Sequence, residues 1–143
     1  MHAIKVDALS KQFQKFKAVD NISFEIEEGE IFGFLGPNGA GKSTTMMILT
    51  TLLKPTSGSA LVGGYDVMSD AKKVREKIGY VQQEISVDEF LTGRENLYLH
   101  ARINQIPRNL IKSRIDDVLE LVELGEKKDQ ATVTYSGGMR KRL

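Results

Sequence analysis

Gly36-Pro37-Asn38-Gly39-Ala40-Gly41-Lys42-Ser43-Thr44 holds the residues best equipped for chemistry. Gly36, Gly41, Lys42 and Ser43 stand at the spacing G-x-x-x-x-G-K-[ST]. A loop that turns several backbone N–H groups toward one anion needs tight turns and positive φ angles. Glycine adopts both at little cost. A helix starting at Lys42 would aim its free N–H groups and positive dipole end at the same point. Lys42 can reach β- and γ-phosphates as a point charge, and the Ser43 hydroxyl can ligate Mg²⁺. The stretch therefore predicts a nucleotide-phosphate site. The plainer alternative is a glycine turn between a strand and a helix that binds nothing; the strand–loop–helix context weighs against it. The loop does not select a base. Phe13 can stack on one, or can simply pack in the core.

The loop needs rigid elements on both sides. Before it, Ile31-Phe32-Gly33-Phe34-Leu35 is an unbroken apolar run, which predicts a strand buried on both faces. After it, Lys42 to Leu53 reads as a helix stopped by Lys54-Pro55-Thr56-Ser57-Gly58. Alternation predicts strands at Ile4, Val6 and Ala8 and at Ile22, Phe24 and Ile26. Ser59–Tyr65 reads as another strand, Asp70–Lys77 as a short helix and Ile78–Val81 as a further strand. From Thr92 to Leu124 the pattern is helical. Ile111, Ile115, Val118, Leu119 and Val122 form one apolar stripe, and Pro107 or Asn109 would start its helix. The layout is a β-rich N-terminal part, an α/β core and a helical insertion near 88–130.

Bulk properties narrow the field. The chain has 143 residues, 41% of them hydrophobic and 27% charged, in the range of an ordinary globular domain. Twenty basic and nineteen acidic side chains leave a net charge of +1, which gives no pull toward nucleic acid or a membrane surface. With no cysteine, thiol catalysis, disulfides and thiolate zinc sites are excluded. The N-terminus lacks the apolar core of a signal peptide, and the longest apolar runs are too short to span a bilayer.

Three separated stretches together resemble the nucleotide-binding subunit of an ABC transporter, from about residue 3 to 143. Gly36–Thr44 is similar to the Walker A loop. "IGYVQQE", Ile78–Glu84, resembles the entry to the Q-loop. "YSGGM", Tyr135–Met139, resembles the signature usually written LSGGQ. "LTGRENL", Leu91–Leu97, and "LTTLLKPTSG", Leu49–Gly58, look most like the drug-resistance and multidrug export branch. The resemblance implies an α/β fold. Its parts are an incomplete P-loop NTPase core, an N-terminal antiparallel β subdomain and a helical insertion. The β subdomain and P-loop core would occupy about 1–87. The Q-loop, helical subdomain and signature would occupy about 88–143.

The resemblance also implies roles. ATP and Mg²⁺ would be held by Gly36, Pro37, Asn38, Gly39, Ala40, Gly41, Lys42, Ser43 and Thr44, with Phe13 stacked on adenine. Gln83, favoured over Gln82 by spacing, would join Ser43 at Mg²⁺ and sense the γ-phosphate. Lys42 and Gln83 would be the catalytic residues. Ser136, Gly137 and Gly138 would contact the γ-phosphate of ATP held by a second copy. On residue type alone, that Ser-Gly-Gly reads more simply as a helix cap. Two positions depart from the family pattern, Tyr135 for Leu and Met139 for Gln, and methionine lacks the hydrogen bonds of an amide.

The implied partners are a separate membrane permease and a second ATPase subunit, head to tail across ATP, with no nucleic acid. The implied location is cytoplasmic, peripheral on the membrane's inner face through the permease. Glu84–Glu95 and the helices beyond would face that permease, or would merely be solvated surface. Two other readings share these motifs: a soluble ABC ATPase of translation or DNA maintenance, and a non-catalytic nucleotide-binding fragment.

No Walker B strand, catalytic glutamate or switch histidine follows the signature, and His2 and His100 lie elsewhere. The expectation is an N-terminal part of a longer protein, cut inside the signature helix. Such a chain should bind Mg-nucleotide weakly, hydrolyse it negligibly and self-associate along an open strand edge at Ile31–Leu35.

Overall fold

The computed structural model describes residues 2–81 and 87–143. It forms two compact units, Met1–Val81 and Gln82–Leu143.

In the first unit, β1 (His2–Phe13) and β2 (Phe16–Glu27) form a long antiparallel hairpin. β3 (Ser57–Val62) pairs with the other edge of β1, and β4 (Tyr65–Asp66) with β3, in the order β2-β1-β3-β4. The glycine pair expected inside a strand, Gly63-Gly64, is instead the positive-φ turn between β3 and β4. Alternation holds for Val6, Phe24 and Ile26 but breaks at Ala8, which adopts φ 48° at a register shift. Its N–H donates to Ser23 Oγ at 2.9 Å, and Leu9 rather than Ala8 turns into the core. Gly58 crosses this irregularity so closely that a Cβ there would lie 2.3 Å from the Ala8 carbonyl oxygen. Val6, Leu9, Ala60 and Val62 of the sheet pack with Ile48 and Leu49 of α1 (Lys42–Leu49) and Val74 of α2 (Ala71–Lys77). Burying a side chain such as Ile48 contributes roughly 1.5–3 kcal/mol, so this contact is what fixes α1 to the sheet.

Two expected strands do not form. Ile31–Leu35 and Ile78–Val81 carry no strand pairing. A strand exists through its ladder, and neither run joins the described four-stranded sheet. Ile31 and Leu35 are 99% and 93% exposed instead of buried. Phe32 and Phe34 lie against Phe24 of β2, with ring centroids 5.5 Å from it, and Phe24 and Phe32 are stacked. All strand pairing among the described residues is antiparallel.

The second unit packs α3 (Gly93–Ile103), α4 (Arg108–Leu121) and α5 (Gly137–Arg142) around Ile111, Ile115, Leu119, Leu124 and Tyr135. Pro107 is the N-cap of α4, so Arg108 rather than Asn109 opens the helix. Three of the five stripe residues are fully buried; Val118 lies at the rim.

Three helices stop by the same device. Past α1, Thr51 takes φ 63°, its N–H donates to the Ile48 carbonyl and that of Leu52 to the Met47 carbonyl. Gln105 past α3 and Glu123 past α4 repeat the pattern at φ 57°. These are Schellman closures built on residues other than glycine. They explain why α1 ends at Leu49 rather than at the expected Leu53.

Candidate functional site

Between β2 and α1, the chain from Gly36 to Gly41 forms an irregular loop over the N-terminus of α1. Gly39 and Gly41 have φ 84° and 85°, the left-handed region. A Cβ on Gly41 would fall 2.2 Å from the Ala18 carbonyl oxygen, so glycine is required there for space as well as conformation. Among the described residues, the N–H groups of Gly39, Gly41, Lys42, Ser43 and Thr44 have no acceptor. The first intrahelical bond is Thr45 N–H to the Gly41 carbonyl at 2.9 Å, reinforced by the buried Thr45 hydroxyl at 3.0 Å. Unbonded donors at a helix start, below left-handed glycines, are what a phosphate group requires.

Lys42 bends back over the loop. Its Nζ donates to the carbonyls of Gly36 at 2.6 Å and Pro37 at 2.7 Å. Ser43 is exposed. Phe13 ends β1 beside the Gln14-Lys15 turn, 45% exposed, so it is not a core residue. The Lys11 ammonium lies 5.1 Å from its ring centroid. Gln83 lies outside the described residues.

Ser136 caps α5, with Oγ accepting from Met139 N–H at 3.2 Å; a Cβ on Gly137 would meet open space and one on Gly138 only Ser136 Oγ at 3.9 Å. The two departures from the signature pattern have structural uses. Tyr135 is buried and donates from its hydroxyl to the Lys127 carbonyl at 2.7 Å. The hydroxyl occupies space that a Cβ on Gly93 would need. Burial, with the negative charge of Asp129 adding to it, pushes the Tyr135 phenol above its ordinary value. Met139 packs on the apolar cluster of the second unit.

A family model described as ABC transporter matches residues 19–143. The chain belongs to the ABC transporter family. It is 41% identical over 143 residues to the doxorubicin resistance ATP-binding protein DrrA of Mycobacterium tuberculosis, covering 99% of this chain and 43% of that protein. It is 39% identical to the linearmycin resistance ATP-binding protein LnrL of Bacillus subtilis, covering 98% of this chain and 45% of that one. The chain thus spans less than half the length of these relatives. Among solved structures, cbiO1 from Clostridium perfringens, part of the ABC transporter complex cbiONQ, matches with TM-score 0.84 at 28% identity. That match covers 99% of this chain and 58% of cbiO1. The ATP-binding subunit of another ABC transporter matches at 0.81 and 25% identity, covering 98% and 58% of the two chains.

Within this ABC chain, the sequence reading missed a buried polar knot. Asn96 Oδ1 accepts from Asp88 N–H at 2.9 Å, and its Nδ2 donates to the carbonyls of Asp88 and Thr92. The Thr132 hydroxyl donates to the same Asp88 carbonyl at 2.7 Å. The knot fastens the segment leading into α3 to the segment leading into the signature. One half of it left a signal: Thr92 and Glu95 form the T-x-x-E capping box, with both reciprocal bonds present. Asn96 and Thr132 gave none, because a polar residue in a helical pattern reads by default as solvated. Among the described residues, no cluster of His, Cys, Asp and Glu could hold a metal by itself, and no helix is long and apolar enough to cross a membrane.

Proposed function

We propose that this chain is the nucleotide-binding part of an ATPase subunit that drives an ABC exporter of the drug-resistance type. The observation that carries the reading is the set of amides without an acceptor among the described residues, those of Gly39, Gly41, Lys42, Ser43 and Thr44, beneath left-handed glycines and beside a lysine. The five amides donate to the phosphate oxygens of ATP, and Gly36, Pro37, Asn38 and Ala40 complete the loop's turn. Lys42 exchanges its two carbonyl contacts for the β- and γ-phosphates. Ser43 and Gln83 would hold Mg²⁺, which would supply positive charge against the charge developing on the phosphates. Phe13, half exposed, stacks on the base. Ser136, Gly137 and Gly138 meet the γ-phosphate of ATP carried by a second copy, so closure of the pair depends on ATP being present. A separately encoded permease, docked on the second unit, takes up that motion. It would hold the subunit on the inner face of the membrane.

Lys42, Ser43 and Gln83 handle charge, but none of them polarises the attacking water. The 143-residue chain alone is therefore expected to bind Mg-nucleotide weakly and hydrolyse it negligibly. Calorimetric titration with ATP and Mg²⁺ beside Lys42→Ala tests the site. Binding that the substitution abolishes supports it; equal binding in both proteins removes it.

A further inference from the structure

Arg140 reaches from the first turn of α5 to the Glu89 carboxylate, an ion pair between positions 51 residues apart. Its side chain is only 29% exposed, and its Nε is buried with no acceptor. The guanidinium is the sheltered member of the pair, while the Glu89 carboxylate is 51% exposed and partly screened by water. Glu89 is gripped a second time, since its backbone carbonyl accepts from Val133 N–H at 2.9 Å. Leu91 accepts likewise from Thr132 N–H at 2.9 Å. The segment 88–92 is thus tied to both ends of the Ser136-Gly137-Gly138 turn. Thr132 and Val133 hold it before the turn, and Arg140 holds it after.

We propose that Arg140, acting through Glu89, is a positioning residue that sets the orientation of the Ser136–Gly138 turn from the segment 88–92. This rests on the functional reading above, in which that turn meets a nucleotide carried by a second copy. A displacement of 88–92 would then be delivered to the turn as a rotation of α5. The backbone bonds alone fix only the near side of the turn; the ion pair fixes the far side.

The test is steady-state ATPase of the native protein with its permease, comparing Arg140→Gln, Glu89→Gln, Arg140→Lys and the charge swap Glu89→Arg/Arg140→Glu. Each neutralising variant should lower kcat about 5- to 20-fold, the cost of one charge-assisted contact, with nucleotide affinity unchanged. Arg140→Lys and the swap should recover most of that loss. Unchanged kcat in the neutralising variants with only a lower Tm would make the pair merely structural and overturn the proposal. So would a swap no better than the sum of its parts. Lys42→Ala, run in parallel, separates the two levels of argument. If it abolishes turnover while the Glu89 and Arg140 variants are silent, only this inference fails. If Lys42→Ala is itself silent, the functional reading fails.

Discussion

Tyr135 stands where leucine is usual in the signature, and Gly93 explains how it fits. The phenol is folded against a position with no side chain and donates to the Lys127 carbonyl. Gly93→Ala should force the hydroxyl off that carbonyl and destabilise the second unit by about 1–3 kcal/mol. Tyr135→Phe should cost about 1 kcal/mol near neutrality. The pH dependence has a defined sign. The folded-state pKa of Tyr135 is raised above its ordinary 10.0. Its contribution is therefore complete below the unfolded value and is lost as pH rises through the folded one. The stability gap between wild type and Tyr135→Phe should narrow above about pH 10, as read by urea denaturation; a gap that widens would contradict the assignment. This pairing was illegible in the sequence, because 42 residues separate its members and neither type is unusual alone.

Element boundaries were read with uneven success. β1, β2 and α4 follow from apolar periodicity, and the loop before α1 follows from its glycines. The helix stops were less clear, since a reader looks for glycine past the last turn and finds Thr51, Gln105 and Glu123 instead. A left-handed residue with a side chain is strained by roughly 1–2 kcal/mol, partly offset in a glycine variant by the freer unfolded chain. Gln105→Gly should therefore stabilise by about 0.5–1 kcal/mol. Guanidinium unfolding of the two proteins checks it, and a lower midpoint for the variant would argue against strain at this stop. The run Ile31–Leu35 failed for a different reason. Its composition suits a buried strand, but composition cannot supply the neighbour that a ladder requires.

At the scale of the molecule, that unpaired run has a physical cost. Ile31 and Leu35 place large apolar side chains in water next to backbone that pairs with no described strand, the combination that templates association between chains. The 143-residue chain should self-associate with rising concentration in light scattering. Ile31→Lys with Leu35→Lys should shift it toward monomer, whereas a wild-type chain that stays monomeric at high concentration would refute the idea. The antiparallel sheet and the helical unit were readable because each satisfies its own pattern locally. The polar knot at Asn96 and the Glu89–Arg140 pair were not, because both are made by residues brought together over long separations in the chain.

Lys42, finally, fastens the loop that it is proposed to serve. By bridging the Gly36 and Pro37 carbonyls it acts as a strut, keeping a glycine-rich arch from sampling the many shapes open to it. A ligand arriving there meets an arch already ordered, at the expense of two bonds that must be exchanged rather than simply added. Removing the lysine accordingly does two things at once: it deletes a charge and lets the arch slacken. A long neutral side chain such as that in Lys42→Met removes the same bridge, so only a variant that keeps the cation can separate the strut from the electrostatics.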